Sequence, residues 1–251
     1  MTPPIATPAE SFELEPIADL SDADTLRANR QTAIYVYEAP VRLWHWINAA
    51  AIMVLVVTGF LIARPLPSMP GEAAFTFLMG DIRFAHFTAG YILAVGLIGR
   101  LYWACVGNHH ARQMLYIPFW RRQYWRDVGN QAAWYLFMVK YPRKYVGHNP
   151  LSQLAMFGMF FLGALFMICT GFALYSQGEG AASWQAKLFG WVLDLAGNSQ
   201  NLHTAHHFGL WLMVVFVMLH VYAAIREDIM SRQSIVSTMI SGWRMFKDHG
   251  Q

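Results

Sequence analysis

Four histidines, His45, His86, His206 and His220, stand at spacings that would let a helical bundle gather them into two imidazole pairs at two depths. An imidazole on each side of a porphyrin iron leaves no open coordination position, a constitution suited to electron transfer rather than to oxygen chemistry or substrate activation. Each such ligand must be neutral, with one ring nitrogen on the metal and the other donating to a nearby acceptor. The sequence does not identify those acceptors. Residues 14 apart on an α-helix are separated by about 21 Å along the axis and by only about 40° around it. His206 and His220 are 14 apart, so one helix face presents both imidazoles. The neighbouring His203 and His207 point about 100° and about 140° away from His220 and rank behind His206. They fit a polar helix start, bonding a propionate or a partner protein.

Helices long enough to carry these residues through a bilayer are legible in the charge distribution. Between Arg42 and Arg64 lie 21 uncharged residues, and at about 1.5 Å each they reach about 30 Å, the hydrocarbon thickness. From Phe84 to about Val106 there is one charge, Arg100, near the far end, where a long side chain can snorkel to the interface. No Asp, Glu, Lys or Arg occurs from Tyr145 to Gly178, nor from Leu195 to Ile225. Hydrophobic residues make up 56% of the chain and charged ones 13%, against about 25% charged in a typical globular protein. The expectation is an all-α integral membrane protein, a four-transmembrane-helix bundle with helices I to IV at about 43–63, 84–106, 152–175 and 204–225. They lie in a domain covering 34–247, between a flexible tail of residues 1–33 and a short C-terminal tail, 248–251.

Of the 18 Lys and Arg, three precede helix I, eight lie from Arg100 to Lys144 and four follow helix IV, leaving only Arg64, Arg83 and Lys187 for the other side. That asymmetry places both termini in the cytoplasm of a multi-pass protein of the bacterial inner membrane. Met1 to Thr32 is acidic, contains Pro and lacks the apolar core of a signal peptide. The net charge of +3 belongs to membrane-facing loops; no aromatic-basic patch points to nucleic acid. Tyr116 to Tyr141 interleaves Trp120, Trp125, Trp134 and Tyr135 with Arg121, Arg122, Arg126 and Lys140, the mixture of an amphipathic segment along the cytoplasmic lipid surface. Partner docking or quinone shielding would use the same composition. Cys105 and Cys169 stand singly, and without Cys-x-x-Cys-His there is no covalent c-type attachment. His109, His110, His148 and His249 fall in cytoplasmic regions.

With the N-terminus inside, helix I starts at His45 on the inner side and helix II starts near His86 on the outer side. Helix IV returns inward, so His206 is outer and His220 inner. The expected pairs are His86 with His206 and His45 with His220. Gly59 follows His45 by 14 residues and reaches the opposite pair's height, where a missing side chain would admit a porphyrin edge. Gly90 and Gly209, one turn from His86 and His206, carry a similar implication, although small residues also promote plain helix packing. Arg100 reaches the inner pair's height and would neutralise a haem propionate or simply snorkel. A competing reading takes His203-Thr-Ala-His206-His207 as the histidine box of a membrane di-iron desaturase or hydroxylase. Such sites need several boxes converging on one side, and here there is one. A metal-ion transporter would need intramembrane Asp or Glu to handle a cation, and helices I to IV offer none.

Several stretches carry a resemblance: YVYEAPVRLWHW (Tyr35 to Trp46), RPLPSMPGEA (Arg64 to Ala73), YWACVGN (Tyr102 to Asn108), VGHNPL (Val146 to Leu151), GNSQNLHTAHHFGLW (Gly197 to Trp211) and HVYAAIREDIMSRQSIVSTMISG (His220 to Gly242). Together they resemble the b-type cytochrome subunit of membrane-bound uptake nickel-iron hydrogenases, over about Tyr35 to Lys247. In this broad group of four-helix cytochromes, which includes that of respiratory formate dehydrogenase, haem ligands lie on helices I, II and IV. By motif these map onto His45 in LWHW, His86 in RFAHF, His206 in HTAHH and His220 in LHVY. The resemblance implies two haems b and a periplasm-facing hydrogenase with a nickel-iron large subunit and an iron-sulfur small subunit. The small subunit would deliver electrons to the His86/His206 haem, docking on the loops around Gly197 to Thr204. The His45/His220 haem would pass them to a quinone. The chain would then be no enzyme by itself but the electron-transfer subunit of a hydrogen:quinone oxidoreductase, with quinone reduction on this subunit.

Overall fold

The computed structural model describes residues 31–67, 77–140, 145, 149–231 and 234–247. Residues 1–30 of the expected tail, the tail 248–251, His148 and His249 lie outside the described residues. In chain order the elements are β1 (Gln31–Tyr35), α1 (Ala39–Ala63), α2 (Leu78–Val106), α3 (His109–Arg112), α4 (Arg122–Tyr135), α5 (Pro150–Glu179), α6 (Trp184–Ala196), α7 (Ser199–Ser231), α8 (Ile235–Ser241) and β2 (Trp243–Lys247). Helices α1, α2, α5 and α7 are long and apolar enough to cross a membrane. They form an integral membrane bundle whose outward faces expose Val57, Val95, Phe208 and Met218, side chains that lipid covers without cost and water does not.

All four helices overrun the predicted spans, because apolar length measures the hydrocarbon alone while capping residues lie beyond it. Glu38 is extended ahead of α1, with Pro40 in the first turn. Asn149 caps α5 by accepting from Ser152 N at 2.7 Å, just before Pro150. Both are helix starts in which a side chain or a proline meets amides that have no carbonyl partner. Within α5, Met156–Phe161 forms a π-helical turn. Its Phe160 is buried between Trp44 of α1 and Phe216 of α7, at ring separations of 5.8 and 5.5 Å.

The connections define two faces. At the distal face, α6 is a helix that the charge pattern did not announce. Ser183 caps it through Ala186 N (3.2 Å), and Gly197, at φ +79°, ends it. Consequently Ser199 to Thr204, within the stretch expected as loop, form the start of α7. At the terminal face, β1 and β2 pair antiparallel from Gln31 opposite Lys247 to Tyr35 opposite Trp243, so Gln31 to Ala33, read as tail, are strand. Gly242 turns the chain into β2 at φ +88°, and a Cβ there would come within 2.7 Å of Tyr37 O. Two short strands about 200 residues apart give no local signal strong enough to stand out in a sequence.

Also at the terminal face, α4 is pinned to α7. Arg226 donates to the carbonyls of Trp134 (2.9 Å) and Tyr135 (2.8 Å) at the end of α4, and Trp134 O accepts from Phe137 N (3.1 Å) as well. Glu227 accepts from Gln131 Nε2 (3.1 Å), Tyr135 Oη (3.0 Å) and Asn149 Nδ2. Trp120 and Trp125 remain exposed on the amphipathic segment.

Candidate functional site

Helix α2 brings His86 and helix α7 brings His206 to a ring separation of 6.4 Å near the distal face. Helix α1 brings His45 to 6.2 Å from His220 of α7 near the terminal face. Two imidazoles on opposite sides of one metal, with bonds of about 2.0 Å and about 1.2 Å from nitrogen to ring centre, have their centres about 6.4 Å apart. Each gap thus has the span of one bis-imidazole iron.

Midway between the levels sits an apolar layer. Ile52, Leu93 and Met213 each lie seven residues from a histidine of their own helix, which repeats its face almost unchanged. With Phe160 and Phe216 they form the buried core. The three helices therefore share one design of histidine, apolar spacer, and second level 14 residues on. The second level is His220 on α7, Gly59 on α1 and Arg100 on α2.

At the distal pair the acceptors missing from the sequence reading are two threonines. Thr58 Oγ1 of α1 lies 2.8 Å from His86 Nδ1, and Thr170 Oγ1 of α5 lies 2.8 Å from His206 Nδ1. Each hydroxyl gives its proton to a carbonyl one turn back, Val54 O at 2.6 Å and Phe166 O at 2.8 Å. Toward each histidine the oxygen is therefore the acceptor of Nδ1–H, which leaves the Nε2 lone pair for a metal. The residue after each threonine is glycine. A Cβ at Gly59 would lie 3.3 Å from His86 Cε1, and one at Gly171 3.3 Å from His206 Cε1. A Thr-Gly pair on each flanking helix thus holds one imidazole by its Nδ1 and leaves room for its ring. Gly59, expected to admit a porphyrin edge, lies against the His86 imidazole and Leu210.

At the terminal pair Phe216 lies over His220 with rings 5.6 Å apart and 20° from parallel, and Trp46 meets His45 edge-on at 5.0 Å. His45 Nδ1 is buried without a hydrogen-bond partner. Gly209 packs on Met167 and Phe166 of α5, a close helix contact, whereas a Cβ at Gly90 would meet nothing within 4 Å. Arg100 is buried; its Nη2 donates to Ala111 O (2.6 Å), and the guanidinium lies 5.5 Å from the centre of the Trp44 ring. Outside the spans, burial pushes the Tyr37 phenol up to about 12, against the opposing pull of Arg244 and Arg100. Burial likewise lowers the Arg244 guanidinium.

His203 and His207 do not join either pair. His203 Nδ1 is 2.9 Å from Ser199 O, and His207 Nε2 accepts from Trp211 Nε1 at 3.3 Å. Among the described residues no group of three or more His, Cys, Asp and Glu is arranged to hold a metal ion. The residues at the two pairs fit haem by ring spacing, by Nδ1 acceptors at the distal level, and by a buried unpartnered Nδ1 at the terminal level.

Residues 36–242 match the prokaryotic cytochrome b561 family. The chain is 61% identical over 222 residues to a probable Ni/Fe-hydrogenase B-type cytochrome subunit of Azotobacter chroococcum mcd 1, covering 88% of this chain and 92% of that protein. It is 54% identical over 247 residues to the protein of the same name from Rhodobacter capsulatus, covering 98% and 94%. A probable Ni/Fe-hydrogenase 1 B-type cytochrome subunit of Escherichia coli (strain K12) is 47% identical over 218 residues, covering 85% and 91%.

Proposed function

Because this chain belongs to the prokaryotic cytochrome b561 family, as a hydrogenase-associated b-type cytochrome subunit, we propose that it is a di-haem anchor carrying electrons from a periplasmic nickel-iron hydrogenase across the membrane to quinone. The observation that carries this reading is the presence of two imidazole pairs, each spaced for one iron, on three helices of a four-span bundle. Haem b would supply a one-electron ferric/ferrous couple, and a histidine pair such as His86 with His206 or His45 with His220 would favour electron transfer over ligand activation.

His86 and His206 hold the distal group, oriented by Thr58 and Thr170. His45 and His220 hold the terminal one. The apolar layer of Ile52, Leu93, Met213, Phe160 and Phe216 keeps water out of the space between. Electrons enter at the distal level from the iron-sulfur small subunit, whose docking surface is the distal face around α6 and the first turn of α7. They leave at the terminal level, which the Lys and Arg asymmetry assigns to the cytoplasm. Full crossing toward the negative side costs about 2.3 kcal/mol per electron per 100 mV, supplied by the drop from hydrogen to quinone. The di-iron reading gains no support, since His203 and His207 engage local partners.

The test is haem counting on the purified protein in complex. A pyridine haemochrome yield of two haems b per chain is expected, falling to one in His86→Ala and to one in His45→Ala. A wild-type chain with a single haem would overturn the two-level scheme.

A further inference from the structure

Helix α6 turns an apolar stripe outward. Trp184, Leu188, Trp191 and Leu195 recur at intervals of four, three and four, which keeps them within about 60° of one another around the helix. They are 52% to 79% exposed. Trp191 gives its Nε1 to Leu188 O at 3.1 Å, so its ring offers the outside no unsatisfied donor. The opposite face is packed. Phe189 stacks on Phe172 of α5 with ring centres 5.2 Å apart, Val192 joins Ala173 and Leu202 in one buried cluster, and Gln185 donates to Tyr91 Oη of α2 at 2.9 Å.

These contacts set α6 on the flank of the bundle rather than across its end. Phe172 lies seven residues before the end of α5, and Tyr91 thirteen residues into α2, about 10 and about 20 Å short of the distal helix ends. Cys169 packs into the cluster beneath α6. Leu162 and Leu165, seven residues before Cys169 and Phe172, share their face of α5 further from the distal end, and both are exposed. The stripe therefore prolongs a surface that, on α5, belongs to a membrane-spanning helix.

We propose that α6 is an interfacial helix whose outward stripe is seated in the phospholipid of the leaflet at the distal face. Four large apolar side chains in a row are costly in water. Two tryptophans and the exposed Lys187 and Asp194, the only charges on α6, suit the boundary between headgroups and acyl chains, where indole rings settle and charged ends reach outward. A partner's transmembrane helix would be met by small residues that let backbones approach closely, and the stripe has none. A protein docking at the distal face then meets the ends of α6 rather than its stripe. Thr170 and Gly171, which hold His206, lie between Cys169 and Phe172, the residues that α6 covers. Lipid that keeps α6 against α5 thereby braces the support of one distal imidazole.

The test places p-benzoylphenylalanine in place of Leu188 or Leu195, one at a time, in cells that make the whole hydrogenase complex, and irradiates their membranes. Val95, on the outward face of α2, is replaced in the same way as the lipid-facing reference. Adducts with phospholipid at both α6 positions, in yield within about twofold of the reference, are expected. A cross-link to another polypeptide overturns the proposal, and so does the absence of any adduct, the result for a stripe that faces water. Adding Trp191→Glu should lower the phospholipid adduct at position 195 about fivefold or more, while Trp191→Phe leaves it as in wild type. An undiminished adduct in Trp191→Glu, or an equal loss in Trp191→Phe, overturns the anchoring. In Trp191→Glu a redox titration should also find the midpoint potential of the His86/His206 haem moved and that of the His45/His220 haem unmoved; a distal potential unmoved where the adduct is lost overturns the brace.

Discussion

The hydroxyl of Thr58 stands 2.8 Å from Nδ1 of His86, and that hydroxyl's single proton is already committed to Val54 O. The imidazole must therefore donate, which fixes its tautomer and the direction of Nε2. Thr170 imposes the same condition on His206 from the other side.

Valine has threonine's shape without the acceptor. In Thr58→Val or Thr170→Val, haem affinity at the distal level should fall about 10- to 100-fold, the range for removing a hydrogen bond behind a metal ligand. A redox titration followed by visible absorption should show one haem's midpoint potential moved and the other's unmoved. Two unmoved potentials with full haem content would remove the threonines from the scheme.

Gly59 and Gly171 test the space beside the same rings. A leucine at either position must displace an imidazole that a Cβ alone would approach to 3.3 Å. Haem content should drop from two per chain to one, with the His45/His220 group retained. Gly90→Ala is the control, because nothing lies within 4 Å of its added carbon.

Glu227 gathers donors from Gln131, Tyr135 and Asn149. Glu227→Leu leaves those donors without their acceptor, at about 1–3 kcal/mol for each that water cannot reach. The expected outcome is faster proteolysis within residues 112–140 and a lower thermal midpoint, with both haems still bound. Glu227→Gln should be intermediate, since its amide oxygen still accepts.

Tyr37 predicts a limit at alkaline pH. Its phenol is raised by burial to about 12 in the folded chain, above the ordinary 10. Between those values the unfolded state has lost a proton that the folded state retains, so stability falls as pH rises through that window and is intact below it. In Tyr37→Phe this part of the alkaline loss should disappear, measured as the thermal midpoint against pH from 9 to 12.

The sequence carried the spans and the meeting depths because both follow from long-range regularities: uncharged runs the length of a bilayer, and a 14-residue repeat that preserves azimuth on α7. Thr58 and Thr170 could not be singled out, since threonines in membrane helices commonly bond a carbonyl one turn back, as these do, whatever else they hold. What distinguishes them is a partner 28 or 36 residues away. A Thr-Gly dipeptide on two different helices was the available signal, and it has meaning only once α1 and α5 are known to flank the distal pair. Helix α6 was hidden because its 13 residues are too few to set a hydrocarbon-length uncharged run. The β1/β2 pairing joins the two ends of the chain, a contact that no local propensity encodes.

Helix α7 supplies a ring to both levels, with Met213 between them and Glu227 seven residues beyond the second. A rigid rod has a single roll angle, so whatever locks its rotation at one storey aims the imidazole at the other. The helix that spaces the two imidazole levels thus also ties their orientations to each other.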